Sequence, residues 1–320
     1  MVRKNALING DFQIWQRGVR IQNPNHLQHT VDRWNVDWRP APSNGAFQIV
    51  RMEFPLGQTD VPGEPRYFAR WEQLTETSGN NFRDFSQQIE SVRTLAGQTV
   101  TISCYLRTSN QETVYLVTEQ FFGGGGGSDP LFRTSDPIPV TSQWQKSVFT
   151  TTLHSIVGKK LGSVGDDCLN VIISMRGDSA NHKSLLDIAD VQIELAAIAT
   201  PFERLSAGQQ LSDCERYFQK SYDFDIAPGT PSFSGTENCR QDTQNNVLGV
   251  RYRKALRRPP TITLYNPRTG AIGTWHSHPS QAVAVSAGDV GTNGFHVDVV
   301  AGAGIPGAPL AGHWTANAEF

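Results

Sequence analysis

The sequence predicts an all-β protein with an N-terminal jelly-roll β-sandwich, a short connecting helix and a smaller C-terminal β-sandwich. Short runs of alternating apolar and polar residues recur along the chain, and this is the period of a half-buried strand. Only 18% of the 320 residues are charged, whereas 29 glycines and 18 prolines supply turns between strands. We place the first domain at 1–205, the helical connector at 206–222 and the second domain at 223–320.

Strand-like runs fill the predicted first domain. In TVTISCYL, Val100, Ile102 and Cys104 occupy alternate positions with polar residues between them. The opening stretch ALINGDFQIWQRG, residues 6–18, is predicted as the first strand, because the residues before it lack the apolar core and cleavage site of a signal peptide. Eight further runs lie at 47–54, 66–74, 85–92, 98–108, 112–122, 143–153, 167–175 and 184–195.

A change of period near residue 200 predicts the connecting helix. Leu211, Cys214, Tyr217 and Phe218 follow helical spacing over 207–221, and Ser206 is a suitable N-cap. The chain then returns to strand-like runs, in the segments VLGVRYRK, TITLY, AVAVSAGDV, GFHVDVVAG and GHWTANAEF. These runs predict the second, smaller β domain.

Composition excludes several functions. The 28 Lys and Arg nearly balance the 30 Asp and Glu, so we expect no nucleic-acid partner. No run of 18 apolar residues is present, so we expect no membrane insertion. The four cysteines lack zinc-ligand spacing, and we expect them to be unbridged and buried, although a Cys214–Cys239 bridge stays open.

Five consecutive glycines, Gly123–Gly127, interrupt the predicted first domain. Strand-like residues flank the run on both sides, so it does not resemble a linker between domains. We predict a tight structural loop whose backbone needs positive φ angles. A loop that contacts a ligand is the alternative.

Several segments carry a family resemblance. They are NALINGDFQIWQRG, TVDRWNV, FSQQIESVRTLAGQTVTISCYLR, FFGGGGGSDP, ATPFERLSAGQQLSDCERYFQKSY and the terminal GHWTANAEF. In this order they resemble bacteriophage tail-fibre and related virion surface proteins, and the first module is similar to galactose-binding-like carbohydrate-binding modules. The resemblance implies a homotrimer on the virion surface, assembled in the host bacterial cytoplasm. It also implies other virion proteins and host cell-surface polysaccharide as partners.

The resemblance is incomplete at one point. Related carbohydrate modules often hold calcium with a glutamate in the first strand and an acidic pair before the last strand. Gln13 and Ala189 stand at these positions here. Calcium prefers several oxygen ligands with carboxylate charge, so we predict neither calcium nor any other cofactor.

Four residues are candidate glycan ligands. Trp38 stands at a predicted loop edge in DWRPAPSNG and could stack on a sugar ring. Trp275, His276 and His278 are expected in an exposed loop that touches the host. An alternative interpretation takes His276, His278, Ser286 and Asp289 as a JAMM-type zinc site, but the packed helices of that fold are not predicted here.

The resulting hypothesis is a structural and adhesive virion protein, part of a tail fibre, collar or head fibre, that displays β-sandwiches towards host glycans. No catalytic residue is predicted, since GxSxG and P-loop patterns are absent from the sequence. One alternative is a depolymerase that cleaves capsule or lipopolysaccharide. The other is an architectural decoration or baseplate protein without a ligand.

Overall fold

A computed structural model describes residues 3–39, 46–75, 81–110, 112–177, 184–240, 246–277, 281–300, 303 and 307–320. This part of the chain contains 20 strands and one short helix, which confirms the predicted all-β class. The chain divides into two compact units. The first comprises Met1–Ile14, Val19–Ser206 and Phe320, and the second comprises Trp15–Gly18 and Ala207–Glu319. No helix in the described ranges is long and apolar enough to cross a membrane.

The first unit contains twelve strands in the described ranges. In chain order they are β1 (Arg20–Gln22), β2 (Asn35–Arg39), β3 (Phe47–Glu53), β4 (Tyr67–Gln73), β5 (Asn81–Glu90), β6 (Thr99–Thr108), β7 (Glu112–Phe121), β8 (Leu131–Thr134), β9 (Ile138–Val140), β10 (Gln145–Thr152), β11 (Cys168–Gly177) and β12 (Leu185–Glu194). The eight runs predicted between 47 and 195 correspond to β3–β7 and β10–β12. Strands β1, β8 and β9 have three or four residues, too few to show a period in the sequence.

Two antiparallel sheets form the sandwich of the first unit. The first sheet has the order β1-β3-β4-β12-β6-β10, and the second has the order β2-β5-β11-β7-β8, with β9 also paired to β7. Successive strands repeatedly change sheet, as expected for a jelly roll. Val100, Ile102 and Cys104 of β6 are fully buried, as TVTISCYL predicts, but Thr101 and Ser103 between them are buried too, so β6 is not a half-buried strand. From the second sheet, Leu116 and Ile173 are also fully buried.

The opening stretch is not a strand, contrary to the prediction. Asn9 and Phe12 have left-handed φ angles of 57°, which interrupt an extended chain. The side chain of Asn9 instead holds a loop together. Its Nδ2 donates to the carbonyls of Ile14 and Asp32 at 2.9 and 3.1 Å, and its Oδ1 accepts from the amide of Ile14 at 2.9 Å.

This loop is also fixed to β12. Asn5 Nδ2 donates to the carbonyl of Val191 at 3.0 Å, and the amide of Ile193 donates to Asn5 Oδ1 at 3.1 Å. The amide of Val191 donates to the carbonyl of Gly10 at 2.8 Å. A Cβ atom at Gly10 would lie 2.1 Å from the Val191 carbonyl oxygen, so only glycine permits this approach. The apolar residues Leu7, Phe12 and Ile14 are therefore buried although they belong to a loop and not to a strand.

The second unit begins with the helix α1 (Ala207–Cys214). Its strands are β13 (Phe218–Lys220), β14 (Glu237–Arg240), β15 (Asn246–Arg251), β16 (Thr261–Tyr265), β17 (Thr274–Ser277), β18 (Gln281–Gly288), β19 (Gly294–Val299) and β20 (Pro309–Asn317). The predicted connector 206–222 is therefore not a separate element. The helix stops at Cys214 because Phe218–Lys220 pair with β20 as a strand of the second unit.

One connected sheet of eight strands builds the second unit. Its order is β13-β20-β17-β18-β19-β15, and β14 and β16 also pair with β20. Strands β18 and β20 each change partners along their length, which joins all eight strands into this sheet. Trp275, Val283 and Val297 are fully buried in that core.

The cysteines form no disulfide. Cys104, Cys168 and Cys214 are buried and Cys239 is half-buried, so the Cys214–Cys239 bridge left open above is not formed. Burial raises the pKa of the Cys104 thiol to about 12 and, with help from the nearby Glu237 carboxylate, that of Cys239 to about 11. Neither thiol is therefore an activated nucleophile near neutral pH.

The run Gly123–Gly127 forms the structural loop that the sequence predicts. Gly123, Gly125 and Gly126 have φ angles of 90°, 78° and 90°. The loop packs closely on the segment before β11, where the amide of Gly162 donates to the carbonyl of Phe122 at 2.8 Å. Its amide at Gly124 donates to Asp166 Oδ1 at 2.8 Å, which fixes the position of that carboxylate.

The glycine contacts predict a stability difference. A Cβ atom at Gly162 would lie 2.0 Å from the carbonyl oxygen of Gly124, so Gly162→Ala must displace backbone. We expect the free energy of unfolding to fall by about 1–3 kcal/mol in denaturant titrations. Gly208→Ala is the matched control, because nothing lies within 4 Å and alanine favours the helix. Equal unfolding midpoints for the two variants would contradict this packing.

Candidate functional site

A groove of about 390 Å³ crosses the outer face of the second sheet of the first unit. Strands β2, β5, β11 and β7 supply its floor, and we call it the sheet groove. Its polar floor residues are Asn35, Asp37, Asp84, Ser86, Gln88, Glu119 and Asn170. Loop residues His26, His29 and Asp166 add to them at the edges.

Strand period and register bring the floor residues together. On each strand these residues lie two apart, so they share a face. Across strands, Asn35 is opposite Ser86, and Asp37 is opposite Asp84. Asn170 lies between Gln88 on one neighbour and Glu119 on the other. Side chains opposite one another on adjacent strands have Cβ atoms about 4.5–5.5 Å apart, so the groove presents rows of polar groups.

Hydrogen bonds hold two of these rows in place. Ser86 Oγ donates to Asn35 Oδ1 at 2.7 Å, and Asn35 Nδ2 lies 3.4 Å from Gln88 Oε1. Asn170 Nδ2 donates to Glu119 Oε2 at 3.2 Å. Asn170 Oδ1 is buried and accepts no hydrogen bond from any described residue. This oxygen is an unsatisfied acceptor beneath the surface of the groove floor.

The groove is acidic. Asp37, Asp84, Glu119 and Asp166 supply carboxylates, and no Lys or Arg belongs to its lining among the described residues. His26 Nδ1 lies 2.7 Å from Asp37 Oδ1, which joins one imidazole to the acidic row. The groove therefore favours uncharged or cationic ligands over anions.

Apolar side chains flank the polar floor. Phe121, Leu27 and Phe320 line the groove, and Leu27 is 47% exposed. Flanking apolar groups around a few placed polar groups are typical of small-molecule sites. The glycine loop contributes indirectly, because it positions Asp166 at this edge.

Trp38 does not lie in this groove, contrary to the prediction. It belongs to β2 and is 5% exposed, on the face opposite Asp37. Its ring packs edge-on against Phe47 and Trp71, with ring centroids 4.9 and 5.5 Å apart. The ring is part of the sandwich core and is not available to stack on a sugar.

Trp275 and His276 do not form an exposed loop. Both belong to strand β17, where Trp275 is fully buried and donates from Nε1 to the carbonyl of His313 at 3.2 Å. His276 is 7% exposed, and its Nε2 lies 3.5 Å from Arg268 Nη2. His278 lies outside the described residues. The structure therefore does not bring the predicted ligand residues together. Trp38 and Trp275 lie in the cores of different units, and His276 lines a pocket of the second unit.

The zinc alternative finds no cluster in the described ranges. Asp289 Oδ2 lies 3.2 Å from His296 Nδ1, and His276 faces Arg268. Among the described residues, no three His, Cys, Asp or Glu side chains are grouped so that they could hold a metal ion.

An arginine stands beside the acidic residues where the family resemblance would place calcium ligands. Gln13 Nε2 donates to Asp11 Oδ2 at 2.7 Å. Arg204 donates to both oxygens of Asp190, at 2.8 and 2.5 Å. Burial raises the pKa of Asp190 to about 6, although Arg204 acts in the opposite direction. In this structure the guanidinium supplies the positive charge next to the buried carboxylate.

Comparisons with known proteins give low similarity. No protein-family model matches the sequence, and no curated protein matches it significantly. The enzymatically active domain of bacteriophage CBA120 tailspike protein 4 is 12% identical, with 60% of this chain and 21% of that chain covered and a TM-score of 0.37. This chain thus spans about a fifth of that tailspike chain.

Two solved carbohydrate-binding modules are similar at the same level. TmCBM61, in complex with β-1,4-galactotriose, is 13% identical over 61% of this chain and 100% of its own, with a TM-score of 0.34. The CBM22-1 xylan-binding domain of Paenibacillus barcinonensis Xyn10C is 14% identical over 62% and 100%, with a TM-score of 0.35. At these values the likenesses carry no inference about a ligand or an activity.

The different positions of Trp38 and Leu27 predict different effects of truncation. Trp38→Ala removes a core ring, and we expect it to lower the free energy of unfolding by about 3–5 kcal/mol. Leu27→Ala at the groove edge should change it by less than about 0.5 kcal/mol. Chemical denaturation measures both. If Trp38→Ala proved as stable as the parent protein, the position of this ring in the core would be wrong.

Proposed function

We propose that this chain is a non-catalytic glycan-binding protein whose ligand lies in the sheet groove. The observation that carries the proposal is the row of polar side chains Gln88, Asn170 and Glu119 on the groove floor, in which Asn170 Nδ2 donates to Glu119 Oε2. Sugar hydroxyls donate and accept hydrogen bonds, so amide and carboxylate groups in fixed positions suit them. The groove volume falls within the range of about 300–1,000 Å³ that is usual for small-ligand sites.

We place this activity on a bacteriophage virion surface, in a tail fibre, collar or head fibre. The support is the order of family-like segments from NALINGDFQIWQRG to GHWTANAEF, which extends over nearly the whole chain. The partners are other virion proteins and host cell-surface polysaccharide, and the assembly is a homotrimer. Several copies would convert weak single sites into strong attachment by avidity.

A depolymerase is the second candidate. Asp37 and Asp84 lie opposite each other on neighbouring strands, and glycosidases use two facing carboxylates. Steady release of reducing ends from host polysaccharide would favour the depolymerase. Loss of that release in Asp84→Asn would identify Asp84 as part of the catalytic site. A purely architectural protein would bind no glycan at any concentration and would still assemble on virions.

Removal of the Asn170 amide group from the groove floor should weaken binding. Asn170→Ala deletes the Oδ1 atom and breaks the Asn170–Glu119 hydrogen bond. We expect the dissociation constant for a soluble neutral oligosaccharide, selected on a glycan array, to rise about tenfold, equivalent to ~1.4 kcal/mol. Isothermal titration calorimetry measures it. Thr152→Ala, on the exposed edge strand of the other sheet, is the control and should bind normally.

The assignment fails on two results of that experiment. Equal affinity of Asn170→Ala and Thr152→Ala would move the ligand away from the groove. A loss of binding accompanied by an equal loss of folded protein would show a structural role only, so both variants are first compared by unfolding midpoint.

The charge of the groove predicts selectivity. In the sheet groove, neutral oligosaccharides should bind more tightly than uronic-acid oligosaccharides of equal length, because the four carboxylates repel an anion. Neutralising one of them by Glu119→Gln should improve uronate binding by about fivefold, or ~1 kcal/mol, with little effect of salt on neutral sugars. Competition at the groove, followed by NMR shifts of β11 amides, measures this. Stronger uronate binding in the groove of the parent protein would overturn it.

A further inference from the structure

A second pocket lies within the second unit. It has a volume of about 310 Å³ and is lined by Phe233, Asn238, Arg268 and His276 above an apolar floor that includes Leu310. We call it the arginine pocket. No carboxylate belongs to its lining in the described part of the chain, so its charge is opposite to that of the sheet groove.

The turn between β16 and β17 fixes the backbone of Arg268. The amide of Arg268 donates to Asn266 Oδ1 at 3.0 Å, and the amide of Gly270 donates to the carbonyl of Asn266 at 2.8 Å. Gly270 has a φ angle of 75°, and a Cβ atom there would lie 2.0 Å from the carbonyl oxygen of Gly229. The arginine therefore extends from a constrained turn rather than from a loose loop.

The guanidinium of Arg268 lacks an acidic partner among the described residues. Within the described ranges its side chain forms one hydrogen bond, with His276, where Nη2 lies 3.5 Å from Nε2. Two buried carboxylates show the contrast: Asp187 pairs with Arg107 at 2.6 Å, and Glu112 pairs with Arg83 at 3.3 Å. The guanidinium of Arg268 therefore has N–H groups available to bind a planar carboxylate through two parallel hydrogen bonds.

An exposed aromatic ring borders the same pocket. Phe233 is 52% exposed, and its ring meets the imidazole of His276 edge-on, with centroids 5.7 Å apart. The contact orients the imidazole and leaves much of the phenyl ring open to solvent. An open ring next to hydrogen-bonding groups can pack against the apolar C–H face of a sugar while polar groups bind its substituents.

We propose that the arginine pocket binds a carboxylate-bearing saccharide of the uronic-acid type. Arg268 holds the sugar carboxylate through its two-pronged donor face, and Asn238 and His276 bind neighbouring hydroxyls. Phe233 packs against the sugar ring. This site lies in the second unit and does not depend on the function proposed for the sheet groove.

The test uses the full chain and trigalacturonate as the probe, titrated by calorimetry at low ionic strength. We expect binding that weakens as salt rises, at least a tenfold loss in Arg268→Gln, and a several-fold loss in Phe233→Ala. Arg251→Gln is the control, because Arg251 is an exposed arginine of the same unit that does not line this pocket. Asn170→Ala should bind trigalacturonate normally, which separates this site from the groove.

Three outcomes would overturn the proposal. The first is no binding of trigalacturonate at millimolar concentration. The second is an equal loss in Arg268→Gln and Arg251→Gln, which would indicate general charge attraction. The third is acetate that binds as tightly as trigalacturonate, with no effect of Phe233→Ala, which would show an anion site without saccharide recognition. Unfolding midpoints of the variants are compared first, so that misfolding is not mistaken for lost binding.

Discussion

The register of the second sheet in the first unit is the constraint on which the rest depends. Side chains alternate between faces, so each strand must present its apolar set to the core and its polar set outward. Trp34 and Phe85 fix this choice, because their rings stack 5.0 Å apart on the core side. With those rings buried, Asn35 and Asp84 must face the groove. A slip of one residue would bury the carboxylates and expose the aromatic rings.

Polar groups fix the parts of the sandwich that strand pairing does not reach. Asn5 and Asn9 satisfy backbone groups of the opening loop, and unsatisfied groups of this kind would be costly once buried. Inside the second unit, Lys220 is 1% exposed, yet its ammonium group donates to three backbone carbonyls at 2.7–2.9 Å. Such contacts specify one arrangement of the loops, whereas apolar burial alone would permit several.

Much of the fold could be predicted from the sequence, because apolar alternation is a local signal. It located eight strands of the first unit and the β character of the second. The opening loop could not be found this way, since the hydrogen bonds that hold it join Asn5 to Val191 and Asn9 to Asp32, which are distant in the sequence. The prediction that Trp38 binds a ligand is wrong, although the sequence contains the pattern that argues against it. Trp34, Val36 and Trp38 occupy alternate positions, and all three are buried. The groove could not be predicted, because its polar residues come from four strands and the pairing register that aligns them is not apparent from the sequence.

The two sites place opposite charges on one polypeptide. The sheet groove carries four carboxylates, whereas the arginine pocket carries a guanidinium and no carboxylate within the described residues. Sites with opposite charge preferences do not compete for the same sugar residue. On a polysaccharide with both neutral and acidic residues, the two proposed sites would then bind different sugar residues. The formal net charge of -2 conceals this division, because the contrast arises from where a few side chains lie.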